Sequence, residues 1–183
     1  MFLRLAGIVM LAFGLAACAA PQSELATAPA IGPHVFGTVE KDARLSCVPF
    51  ARDHSQVKLY GDAWTWWDQA AGKYAEGHQP SLGAVMVLTG YAGPERGHVA
   101  VVRRVISSRE IRVDHANWLN DGAIYLDDPV MDVSPANDWS QIRVFNIQTA
   151  LWGSRSYAVQ GFIGGQPVPR QDDPIGRLLS ANS

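Results

Sequence analysis

The chain has 183 residues, 48% of them hydrophobic and 17% charged, which is enough for one folded domain with a buried core. Its formal net charge of −2 at pH 7 excludes a general electrostatic attraction to nucleic acid, which needs an excess of Lys and Arg. The longest apolar candidate, Phe2–Ala17, is interrupted by Arg4 and falls short of the roughly 18 uninterrupted apolar residues of a membrane-spanning helix.

The N-terminus is organised like an export signal. Arg4 supplies a positive charge, Leu5–Leu15 supply an apolar segment, and Leu15-Ala16-Ala17-Cys18 resembles the lipobox of bacterial lipoproteins. The resemblance implies that residues 1–17 are a signal peptide and that lipid on the Cys18 sulfur anchors the chain to a membrane. Ala19, in place of Asp, favours the outer membrane facing the periplasm by the same resemblance. The alternatives are an ordinary cleavage site with small residues and an apolar core segment.

Composition divides the remaining chain into three segments. Residues 18–39 are rich in Ala, Pro, Ser, Thr and Gly and show no helical or strand period, which predicts a flexible lipidated tether. Residues 164–183 have a similar composition and predict a flexible tail. The folded domain is therefore expected over residues 40–163.

The chain contains two cysteines, Cys18 and Cys47, and an exported pair would ordinarily form a disulfide. Lipid on Cys18 would leave Cys47 as a single thiol, which is then either buried and inert or retained for its reactivity. Ser46 or Cys47 is able to cap a predicted helix over Val48–Asp53, with Pro49 in its first turn. A cysteine at this position faces the positive end of the helix dipole, which predicts a lowered thiol pKa and backbone N–H groups for an oxyanion.

The apolar period predicts the other elements. A second helix is expected over Asp62–Tyr74, where the tryptophans at 64, 66 and 67 either pack in the core or form a carbohydrate-stacking platform. After Pro80 the period changes, and strands are expected over Gly83–Leu88, Gly97–Val105, Glu110–Ala116 and Ile142–Ile147. Helices followed by hairpin-linked strands predict an α+β domain whose antiparallel sheet curls towards a half-barrel.

Among the histidines, His98 opens a predicted strand directly after Gly97, where the backbone is able to approach a neighbour closely. His34 falls in the tether, and His54 and His78 fall at expected helix ends. No pair of histidines has the spacing of a zinc site, so zinc hydrolase chemistry lacks its ligands.

Five short segments in chain order resemble a CHAP domain, a cysteine, histidine-dependent amidohydrolase or peptidase of the papain-like NlpC/P60-type superfamily. They are Ser46–Arg52, Gly61–Trp64, Pro80–Val85, Gly97–Val102 and Asn117-Trp118. The resemblance implies N-terminal helices packed on an antiparallel sheet and cleavage of peptidoglycan, either at the muramoyl–alanine amide or at a peptide bond. It also implies that Cys47 is the nucleophile and His98 the general base, and it implies no metal and no organic cofactor.

A third residue should orient the His98 imidazole, and the resemblance places it on the strand from Arg112 to Asn117. Family members usually carry an acid two positions before the Asn, whereas this chain has His115 there. Asp114 precedes it, but strand alternation places His115 and Asn117 on one face and Asp114 on the other. His115 is therefore favoured, with a β-bulge that turns Asp114 inward, or Asn117 acting alone, as alternatives.

Two other functions compete with a peptidoglycan hydrolase. One is a catalytically inactive CHAP-like binding or scaffold lipoprotein of the cell envelope. The other is an exported lipoprotein with a structural Cys47. These motifs fit either an amidase or an endopeptidase, with or without a protein activator.

Overall fold

The structure is a computed structural model that describes residues 37–41 and 43–165. The expected signal peptide, Cys18, most of the tether and most of the tail lie outside the described residues. Within them, no helix has the length and apolar character needed to cross a membrane.

The described residues form two α-helices, a 3₁₀ turn and nine strands. The helices are α1 (Cys47–His54) and α2 (Trp66–Ala70), and the 3₁₀ turn Ala63–Thr65 leads directly into α2. The strands are β1 (Thr38–Glu40), β2 (Glu76–Gly77), β3 (Val85–Thr89), β4 (His98–Ser107), β5 (Glu110–Ala116), β6 (Ile124–Asp132), β7 (Gln141–Asn146), β8 (Leu151–Trp152) and β9 (Tyr157–Ile163).

The sheet closes into a barrel instead of the expected half-barrel. Its order is β6-β5-β4-β3-β9-β7, all antiparallel, and β7 pairs again with β6 through Val130↔Val144. Closure depends on β6 and β9, which the sequence analysis did not anticipate. β6 pairs with β5 from Ile124 to Met131 and with β7 through its last three residues, while β9 bridges β3 and β7. The domain is therefore mostly β, with little helix.

The alternation of each strand separates two apolar cores. Side chains such as Met86, Ala100 and Val113 fill the inside of the barrel. Val87 and Val99, on the opposite faces of β3 and β4, pack against the helices. Burial of both faces of β3 explains why its sequence is an uninterrupted apolar run.

The second helix is shorter than expected because the chain turns at Ala71 and Gly72, where Gly72 has φ +71°. Trp66 is fully buried in the helix-side core, so for this tryptophan core packing is confirmed over a stacking platform. Trp64 instead lies at the cleft described below.

Candidate active site

Cys47 is the first residue of α1, and Ser46 before it has the extended conformation of an N-cap. The thiol is free and half-buried, and the nearby backbone N–H groups of Cys47, Val48 and Val99 favour its ionised form. Val99 belongs to β4, so these contacts bring the helix start against the start of the strand that carries His98.

Burial raises the pKa of the Cys47 thiol above its ordinary value. The three backbone N–H groups and the nearby Arg96 guanidinium lower it, but their combined effect is smaller than the cost of desolvating a thiolate. The prediction that the helix position lowers the Cys47 pKa is therefore wrong for the unliganded protein. In that state Cys47 favours the protonated thiol.

His98 lies at the start of β4 because Gly97 lets the chain pass unusually close to the 3₁₀ turn. A Cβ on Gly97 would lie 2.5 Å from the Trp64 backbone nitrogen and 2.8 Å from the Leu88 carbonyl oxygen. This close approach was expected from the sequence and is present. His98 and Cys47 then line one open cleft of about 340 Å³.

A chain of hydrogen bonds leads from His98 into the barrel. His98 Nε2 lies 2.9 Å from His115 Nδ1, and His115 Nε2 lies 3.0 Å from Asp128 Oδ2. All three side chains are at least 98% buried. Because Nε2 of His98 is hydrogen-bonded to His115, Nδ1 of His98 is the ring nitrogen available to a group in the cleft.

The charge of Asp128 determines the direction of these hydrogen bonds. An ionised carboxylate only accepts, so His115 donates from Nε2 and accepts at Nδ1. His98 then donates from Nε2 and carries a lone pair on Nδ1, which is the form a general base needs.

Aromatic rings enclose the two imidazoles. The Trp118 ring centroid lies 5.0 Å from that of His98 and 5.3 Å from that of His115, and the tilted Tyr91 ring lies 5.3 Å from that of His98. Burial, assisted by His115, holds the pKa of His98 well below its usual range. Burial also raises the pKa of the Asp128 carboxyl, and the hydrogen bond from His115 opposes that rise. His98 is therefore neutral at neutral pH.

A β-bulge aims Asp128 into the barrel. Val113 pairs with Asp128 and His115 pairs with Tyr125, so two steps along β5 correspond to three along β6. The extra residue is on β6, where Asp127 has φ +55°. Without it, Tyr125 and Asp128 would lie on opposite faces of the sheet.

Asp114 and Asn117 have other contacts. Asp114 faces away from His98 and forms an ion pair with Arg103 Nε at 2.5 Å. The carboxylate also accepts the Asp127 N–H. Asn117 lies just beyond β5 at the cleft, where its side-chain oxygen accepts the Gly122 N–H at 2.7 Å. In this structure Asn117 holds the turn after β5, and no hydrogen bond to His98 is present among the described residues.

Asp128 was missed by the sequence analysis. It lies in Tyr125-Leu126-Asp127-Asp128-Pro129, whose adjacent acids and proline hide the strand period. The bulge then reverses the face that alternation would assign. Among the described residues, no group of three or more His, Cys, Asp or Glu side chains is arranged to hold a metal ion.

Comparison with known proteins bears on this site. Neither the search of curated proteins nor the search of solved structures found a match. The family model of the CHAP domain matches residues 38–117, a stretch that contains Cys47, His98, His115 and Asn117 but ends before Asp128. CHAP domains are typical of peptidoglycan hydrolases and are generally cysteine, histidine-dependent amidohydrolases or peptidases. Residues 38–117 are therefore similar to a CHAP domain, and this stretch contains both the half-buried Cys47 thiol and the His98 imidazole that lines the same cleft.

Proposed function

We propose that this protein hydrolyses an amide or peptide bond of the peptidoglycan peptide through a covalent acyl-enzyme on Cys47. The single observation that supports this most is the placement of Cys47 and His98 in one open cleft, with His98 backed by His115 and Asp128. A structural cysteine would need neither the cleft nor this buried polar chain.

In the proposed mechanism, His98 Nδ1 takes the thiol proton as the Cys47 sulfur attacks the scissile carbonyl carbon. The backbone N–H of Cys47 binds the resulting oxyanion, and His98 returns the proton to the leaving amine as the C–N bond breaks. Water then attacks the thioester, with His98 again taking and returning the proton. The raised Cys47 pKa and the lowered His98 pKa describe a neutral resting pair, so proton transfer accompanies the attack.

His115 and Asp128 are positioning residues in this mechanism. They fix the His98 tautomer, and the Asp128 carboxylate stabilises the imidazolium that forms during attack. Asn117 contributes by holding the turn at the mouth of the cleft.

The function is tested by digestion of purified peptidoglycan sacculi with wild type and Cys47→Ala. We expect soluble fragments from wild type and none from Cys47→Ala, with circular dichroism showing that both are folded. Mass analysis of the fragments separates an N-acetylmuramoyl-L-alanine amidase from an endopeptidase. Equal release by both proteins would overturn the proposal. Sacculus binding by wild type without release would support an inactive scaffold instead.

We also propose that Cys18 carries lipid and anchors the domain to the outer membrane, facing the periplasm. The support is the lipobox-like sequence alone, and it lies outside the described residues. Cys18→Ala should leave the domain folded and move the protein from the membrane fraction to the soluble fraction. A Cys18→Ala protein that still sediments with outer membrane after a salt wash would contradict lipid anchoring.

A further inference from the structure

A second depression continues from the Cys47 cleft. It has a volume of about 410 Å³ and shares Tyr91, Arg96 and Asn120 with that cleft. An extended ligand at Cys47 therefore has a path into it past these three residues. We call this second depression the side groove.

The two depressions differ in charge. The Cys47 cleft is lined by Asp62 and Glu95 as well as Arg96, whereas the charged residues that line the side groove are Arg96 and Arg155. Within the described part of the chain, neither guanidinium forms an ion pair with a carboxylate. The side groove is thus a cationic branch of the cleft.

Arg155 is fixed in position. Its Nη2 donates to the Gly90 carbonyl oxygen at 3.1 Å, and its guanidinium carbon lies 4.8 Å above the centre of the Tyr157 ring. Tyr157 in turn packs against Trp118 at 5.0 Å, and Trp118 packs against His98. A continuous aromatic wall therefore links Arg155 to the imidazole, and the remaining guanidinium N–H groups keep their capacity to bind a ligand.

We propose that the side groove is a subsite for a free carboxylate of the substrate, held by Arg155 and Arg96 close to the scissile amide. This rests on the proposed function, because stem peptides of peptidoglycan bear carboxylates along a short chain. A planar guanidinium matches a carboxylate with two parallel hydrogen bonds, and the contacts of Arg155 reduce the entropy lost on binding. Because the Cys47 cleft carries two carboxylates and the side groove carries none, a bound peptide would place its free carboxylate in the side groove.

The test uses Cys47→Ala protein, so that binding is measured whether or not the wild type is a hydrolase. The probes are a soluble stem tetrapeptide with free carboxylates and the same peptide with those groups converted to amides. By calorimetry, we expect the acid peptide to bind about tenfold more tightly than the amide, in line with hydrogen bonds to charged groups. Adding Arg155→Gln should bring the two affinities together by weakening only the acid peptide.

Arg143→Gln is the matched control, because Arg143 is exposed on β7 and lines neither depression. This control removes the same charge and should keep the tenfold preference. Equal affinities in the parent protein, no measurable binding of the acid peptide, or equal weakening of both peptides by Arg155→Gln would overturn the subsite. A clear acid preference together with failure to digest sacculi would overturn the hydrolase function and leave the subsite standing.

Discussion

His115 connects the His98 imidazole to the buried carboxylate of Asp128. With Asp128 ionised, the lone pair of His98 points to the Cys47 cleft; with Asp128 protonated, the hydrogen bonds reverse and His98 Nδ1 carries a hydrogen. A single proton on Asp128 thus decides whether His98 is able to act as a base.

Replacing Asp128 with Asn should therefore lower kcat by at least about tenfold, as loss of a triad carboxylate does, while KM changes little. The amide removes the charge and allows the reversed hydrogen bonds, but it leaves the Cys47 cleft intact. Steady-state kinetics on soluble muropeptides measures both constants. A rise in KM with unchanged kcat would contradict a positioning role for Asp128.

His115→Ala should also lower turnover by at least about tenfold, because it breaks the link to Asp128. Asp114→Asn is the control: Asp114 pairs with Arg103 on the other side of the sheet, so turnover should be nearly intact. Rates of both variants are compared with wild type on the same substrate. The opposite ranking would mean that Asp114, not His115, orients His98.

The Cys47 thiol should lose its proton only at high pH. Because burial raises the Cys47 pKa, the rate of alkylation by iodoacetamide should show its inflection at or above the ordinary thiol value of about 8.5. Mass spectrometry of samples quenched at timed intervals, from about pH 5 to about pH 10, follows this rate. An inflection well below 8.5 would show that the unliganded site already holds a thiolate.

Among the elements, the start of β4 carries the tightest constraint. Gly97→Ala would place a Cβ against backbone atoms of Trp64 and Leu88. Backbone atoms cannot move aside as the end of a flexible side chain can. We expect a loss of about 1–3 kcal/mol in the free energy of unfolding and lower activity, because His98 shifts with its neighbour. Urea denaturation and sacculus digestion measure the two effects.

Gly77→Ala is a suitable control, since its added Cβ meets nothing within 4 Å and its φ is not positive. Its unfolding free energy should stay within about 0.5 kcal/mol of wild type. Similar losses in both variants would mean that strand glycines in general, and not the contact at Trp64, set the effect.

The elements also show what periodicity is able to predict. β5 occupies the expected range Glu110–Ala116, and α1 begins as expected, because local alternation and helix-start chemistry dominate there. β6 and β9 were not foreseen, since Asp127-Asp128-Pro129 and Gln160-Gly161 interrupt their apolar pattern. β9 pairs with β3, which lies far away in the sequence, so barrel closure could not be derived from local patterns.

The candidate site follows the same division. The positions of Cys47 and His98 were indicated by two local features, a helix start and a glycine before a strand, and their roles by the resemblance to CHAP domains. The partner of His115 depends on a bulge in a different strand, and the Cys47 pKa depends on burial by β4 and its neighbours. Both depend on tertiary contacts, which explains why Asp128 was missed and why the direction of the pKa shift was wrong.

At the scale of the whole molecule, closing the barrel buries ionisable groups that an open half-barrel would leave exposed to solvent. His98 and His115 lie between the barrel core and the cleft, under Tyr91 and Trp118. Folding therefore keeps His98 neutral at a pH where the unfolded chain would protonate it. The site chemistry is thereby coupled to the stability of the entire domain.

This coupling predicts that acid destabilises the protein. The folded-state pKa of His98 lies well below the unfolded value of about 6.5, so below that pH the unfolded chain binds a proton that the folded chain does not. The free energy of unfolding is therefore not reduced by His98 above about pH 6.5, and it decreases as the pH falls through and below that value. Between about pH 7 and about pH 5.5, the urea concentration at the unfolding midpoint should decrease more for wild type than for His98→Gln, because the variant lacks the imidazole. His78→Gln, at an exposed histidine, should keep the wild-type drop. An equal drop in wild type and His98→Gln would show that other groups cause the acid sensitivity.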